Sequence, residues 1–131
     1  MTKNIFKLMS LFSLLVSSPG VLAYGVSHHG GPLLSCEPPQ FFDESPAKDA
    51  KVPSFQTFAF TASDNTERDT VKAWVNNEAV PVTITEERSG RLHVQGSLKE
   101  AVTKGRVWIR VTGDSKDGCD QLDVWNVYVG D

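Results

Sequence analysis

The stretch that decides the fold is Val71-Lys72-Ala73-Trp74-Val75-Asn76-Asn77-Glu78-Ala79-Val80-Pro81-Val82-Thr83-Ile84-Thr85. Val71, Ala73 and Val75 alternate with Lys72 and Trp74. Val80, Val82 and Ile84 then share one face of a second run. A period of two belongs to strands, whose successive side chains point to opposite faces. Asn76-Asn77 supplies the left-handed backbone that a tight hairpin turn needs, with Asn77-Glu78 in the turn. Pro81 has no N–H for a ladder, which assigns the second run to a sheet edge.

The same alternation recurs on both sides. Residues 40–43, 55–62, 70–76, 79–85, 91–96, 105–112 and 122–129 read as strands separated by turn residues. Residues 98–104 are long enough for one helical turn at most. About seven short, evenly spaced strands without a helix predict an all-β fold, a single immunoglobulin-like antiparallel β-sandwich, with a small barrel as the alternative. No internal repeat is present.

The region from about residue 38 to 129 resembles the immunoglobulin-like or fibronectin-III-like domains of exported bacterial proteins. Pro39-Gln40-Phe41-Phe42 leading to Ser45-Pro46, then Ala50-Lys51-Val52, carries the first part of the resemblance. Phe58-Ala59-Phe60, the run from Val71 to Asn77, Arg106-Val107-Trp108-Ile109-Arg110-Val111 and the turn Asp114-Ser115-Lys116-Asp117-Gly118 carry the rest. Small periplasmic copper-carrier proteins share this architecture and single-domain format. The histidines near their mature start have a loose counterpart in His28 and His29, so the resemblance implies a copper site there.

Residues 1–23 read as a secretory signal peptide. Lys3 and Lys7 precede an apolar run too short to span a bilayer, and Pro19-Gly20 leads to a small-residue cleavage site at Val21-Leu22-Ala23. A retained membrane anchor is the alternative. Leu33-Leu34-Ser35-Cys36 loosely resembles a lipobox, but residues 28–32 separate it from the apolar run. The expected organisation is a signal peptide over 1–23, a flexible arm over 24–37 and the sandwich over 38–131, in a periplasmic or extracellular protein with no membrane association after cleavage.

Cleavage would remove two lysines and no acid, taking the formal charge from −3 to −5. An acidic surface excludes phosphate-backbone binding, hence nucleic acid, and disfavours anionic lipid. Cys36 and Cys119 are the only cysteines. In an oxidising compartment an even count predicts a disulfide. Closing a loop of about 80 residues stabilises by roughly 4 kcal/mol in the chain-entropy account.

No catalytic signature stands out. Of the three histidines, His93 alone lies within the domain, and alternation points it outward beside Arg91 and Gln95. No paired carboxylates and no Gly-rich phosphate loop are recognisable. A non-enzyme is expected, with a hydrolase the least favoured alternative.

Three candidate sites remain. The first is metal at His28 and His29. A mature start at Val26 would make His28 the third residue, and a free amine, two deprotonated amides and an imidazole form a square-planar Cu(II) site. A start at Tyr24 leaves only the histidine pair. The second is Ca²⁺ at Asp114, Asp117, Asp120 and Asp123, whose spacing departs from an EF-hand. The third follows from alternation: with Val71, Ala73, Val107, Ile109, Trp125 and Val127 inward, Trp74, Trp108 and Tyr128 face out, flanked by Lys72, Arg110 and Asn126. Three aromatics with two cations on one sheet face predict a binding or accessory module for a protein or carbohydrate partner. Burial of this face under the arm, or an inverted third strand with Trp74 in the core, are the competing outcomes.

Overall fold

Hydrophobic alternation is most regular in residues 105–114, and the fold is organised around them. The computed structural model describes residues 35–130, which lie within one compact unit, Ser35–Asp131. Nine strands follow in chain order: β1 Phe41–Ser45, β2 Lys51–Val52, β3 Phe55–Ala62, β4 Lys72–Val75, β5 Glu78–Val80, β6 Val82–Glu86, β7 Leu92–Val102, β8 Gly105–Asp114 and β9 Asp120–Val129. They form two sheets, β1-β3-β7-β6 and β2-β9-β8-β4-β5. All pairings are antiparallel except β2 with β9. This is the expected sandwich with two more strands than the sequence suggested.

One of the two extra strands has a local cause. The run 79–85 divides at Pro81: Val80 pairs with Ala73 in one sheet, whereas Val82 pairs with Gly96 in the other. A residue without an N–H cannot carry a ladder through, so the chain changes sheets there. Both products, β5 and β6, are edge strands. The two-residue β2 runs parallel to the end of β9, a pairing with no local signature. Residues 98–102 do not form a helical turn but extend β7, with Val102 opposite Phe55.

The core lies between the sheets. Trp125 is 2% exposed, with Phe58 and Phe60 edge-on to it at 6.4 and 6.2 Å between centroids. Its indole N–H donates to the Pro46 carbonyl at 3.1 Å, which answers the polar atom that burial would otherwise orphan. The Phe58 ring lies on Gly96, where a Cβ would come within 2.3 Å of its Cζ. Glycine is required there by close approach.

Cys36 and Cys119 form the predicted disulfide, 83 residues apart with Cα atoms 5.7 Å apart. It fastens the segment before β1 to the β8–β9 hairpin and leaves no Cys36 thiol for a lipid. Around it, the Cys119 N–H donates to the Ser115 hydroxyl, and the Lys116 N–H donates to the Asn65 carbonyl. The Asn65 side chain donates to the Glu37 carbonyl, so residues just before β1 are held against this end.

Candidate functional site: the outer face of the five-stranded sheet

The β4–β5 hairpin turns on Asn76 and Asn77, at φ 49° and 71°, one residue before the expected Asn77-Glu78, because Glu78 already pairs with Val75. Two left-handed residues in succession match the right-handed twist of the flanking strands. Asn76 does more than turn the chain. Its backbone N–H donates to the Trp108 carbonyl, and its Oδ1 accepts the Trp108 N–H, both at 3.0 Å. A side chain thus prolongs the β4–β8 ladder and holds the backbone that presents Trp108.

In β8, buried Val107, Ile109 and Val111 alternate with half-buried Trp108, Arg110 and Thr112. In β4, Ala73 and Val75 are buried, Lys72 is exposed and Trp74 half-buried. In β9, Trp125, Val127 and Val129 point inward while Asn126 and Tyr128 point outward. Trp74, Trp108, Tyr128, Lys72, Arg110 and Asn126 therefore lie on one outer face, and Trp125, not Trp74, is the core tryptophan.

Register orders this face into rows. Lys72, Thr112 and Leu122 form one; Trp74, Arg110 and Val124 the next; Trp108 and Asn126 the third; Arg106, Tyr128 and Lys51 the last. The Arg110 guanidinium carbon stands 4.4 Å from the Trp74 ring centroid, a cation–π stack. The stack encloses the Arg110 Nε, which has no hydrogen-bond partner. Leu122, Val124 and Tyr128, exposed by 56, 42 and 40%, are the exposed large hydrophobics of the described residues, and all belong to β9.

Sequence reasoning omitted Leu122, Arg106 and Lys51 from this face. The first two were recoverable, because they share the parity of Val124 and Trp108 on their own strands. Lys51 was not, because only the parallel β2–β9 pairing brings it beside Tyr128.

The other candidates do not assemble within the described residues. His93 is exposed on the opposite sheet between Thr61 and Thr85, without a carboxylate in its row. The four aspartates of the last hairpin do not converge: Asp114 and Asp120 are cross-strand partners, but Asp117 accepts from the Ser115 hydroxyl and Asp123, on the other side of β9, pairs with Lys48 at 3.6 Å. The calcium reading is thereby corrected: Asp117 answers turn chemistry, Asp123 an ion pair, and Asp114 with Asp120 makes only a pair. Among the described residues no three His, Cys, Asp or Glu side chains gather to hold a metal ion. His28 and His29, with the signal-peptide stretch and most of the arm, lie outside the described residues. No helix among the described residues is long and apolar enough to cross a membrane.

No family model matches the chain, and no curated protein does. Solved structures do. PcoC, a methionine-rich copper resistance protein from Escherichia coli, superimposes with a TM-score of 0.54 at 13% identity, covering 71% of this chain and 99% of that one. CopC from Methylosinus trichosporium OB3b gives a TM-score of 0.55 at 13% identity, covering 70% and 92%. At this identity the likeness establishes the shared sandwich.

Proposed function

We propose that this protein is an exported, non-enzymatic copper-binding carrier that takes its metal as cargo ahead of the sandwich, at His28 and His29. The carrying observation is that its domain matches almost the whole of a copper resistance protein. The donor chemistry narrows the oxidation state. The only methionines are Met1 and Met9, both within the signal-peptide stretch, and both cysteines are in the disulfide. Soft thioether and thiolate ligands are thus missing after residue 23, and residues 24–34 hold no carboxylate, so the donors around His28 and His29 are imidazole, amide and, at a freed start, amine nitrogens. These suit square-planar Cu(II) better than Cu(I). The methionine-rich character of PcoC has no counterpart here. Native mass spectrometry of the exported protein during Cu(II) titration tests the reading. One copper per chain is expected, and its loss in H28A/H29A. No binding below millimolar copper overturns it.

A second reading has its own observation. The outer face of the five-stranded sheet gathers Trp74, Trp108 and Tyr128 with the exposed aliphatics of β9, a composition typical of binding surfaces. On this reading the sandwich is an accessory module that docks a partner. If W74A/W108A keeps its fold, the partner is expected to be lost; unchanged partner pull-down ends this reading.

A further inference from the structure

Resting on that second reading, we propose that the partner docked on this face is a protein surface carrying carboxylates around an apolar centre. Charge supplies the first argument. From residue 24 onward the chain is net acidic, with a formal charge of −5. Yet the face carries Lys51, Lys72, Arg106 and Arg110, and no acid occupies an outward position from Thr112 to Arg106 on β8 or from Leu122 to Tyr128 on β9; exposed Asp49, whose N–H donates to the Asn126 carbonyl, stands at the β2 edge. The outward acids Asp114 and Asp120 stand beyond it, at the hairpin tip. A second copy joined face to face would set four cations against four, so charge disfavours a symmetric dimer.

The apolar centre separates protein from carbohydrate. Arg110 already occupies one side of the Trp74 ring, which leaves Trp108 and Tyr128 as stacking platforms. Among the described residues Leu122 and Val124 are the two most exposed large hydrophobics, and they offer a sugar no ring to stack on. They suit the apolar side chains of a protein. Stacking on Trp74 also holds the Arg110 fork in one orientation. A preorganised guanidinium loses less entropy when it donates two hydrogen bonds to a carboxylate. Arg106 lies four residues away on the same side of β8, about 13 Å at strand rise, so a partner presenting two carboxylates at that separation meets both.

Size sets the lifetime. Five strands about 4.8 Å apart and four rows about 6.6 Å apart span an area of roughly 400 Å², half of one side of a standard interface. The complex is transient, salt-sensitive and steered by charge.

A photo-crosslinking residue placed at Val124 in the full exported chain, with Gln95 on the opposite sheet as control, tests this in the source cells. The expected result is one adduct from Val124 and none from Gln95, with the crosslinked partner peptide acidic. R106E, at an exposed position outside the Trp74 stack, is expected to lower adduct yield at least tenfold. Reversing one carboxylate of the identified peptide to lysine should restore it. An adduct insensitive to R106E, an adduct with a second copy, or saturable quenching of tryptophan fluorescence by polygalacturonate but not by neutral dextran each overturns the acidic-protein assignment while leaving the docking face. No adduct at Val124 overturns both.

Discussion

The two sheets have outer faces built by the same alternation and filled with different chemistry. The four-stranded sheet turns Thr57, Thr83, Thr85, His93 and Gln95 outward, in rows such as Phe42–Thr61–His93–Thr85, where Thr61 is buried and Phe42 is the one phenyl ring. Small hydroxyl and amide side chains dominate that face, as a solvated sheet surface needs, and Arg91 covers its Phe42 ring. The five-stranded sheet turns out indoles, a phenol, aliphatics and four cations. Each sheet also carries one cation over an aromatic ring: Arg91 over Phe42 at 5.1 Å, Arg110 over Trp74 at 4.4 Å. The difference teaches that pointing outward is imposed by geometry, whereas what points outward is free to record a use.

The largest test of this comparison removes what both faces stand on. Trp125→Ala empties the centre of the core and leaves the Pro46 carbonyl without its donor. A loss of about 3–5 kcal/mol is expected in urea unfolding, enough to erase both faces together. C36S/C119S comes next, with about 2–5 kcal/mol lost by the same measurement. Gly96→Ala forces a methyl against the Phe58 ring and should cost about 1–3 kcal/mol, read from the thermal midpoint. Below these, Arg110→Ala releases Trp74 at an expected cost of about 0.5–1 kcal/mol, with a change in indole fluorescence. Gln95→Ala, on the polar face, should stay within about 0.5 kcal/mol. If Gln95→Ala proved costlier than Arg110→Ala, the contrast between the faces would fail.

Much of the candidate face was readable before any pairing was known. Val107, Ile109 and Val111 fix the parity of β8, and parity alone turns Trp108 and Arg110 outward. The same logic reached Trp74 and Tyr128. It stopped short of Leu122 and Arg106, which the same parity reaches at the strand ends. It failed at Pro81, where a run with one continuous inward stripe serves two sheets. The stripe is unbroken because Val80, Val82 and Ile84 all meet the same core, from opposite sides. Residues 98–102 misled for a related reason: only Leu98 and Val102 pack toward the core there, and Lys99, Glu100 and Ala101 between them look helical.

What the sequence determined by itself was local: strand character, the side of each strand on which a residue lies, the turn at Asn76-Asn77 and the pairing of the only two cysteines. These follow from the covalent geometry of an extended chain and from simple counting. The tertiary structure decided which strands became neighbours. It brought Lys51 beside Tyr128 by a parallel pairing, stacked Arg110 on Trp74 across two strands, and moved the chain from one sheet to the other at Pro81. Such contacts join residues far apart in the chain, and their stability comes from burying a shared core, which no local pattern encodes.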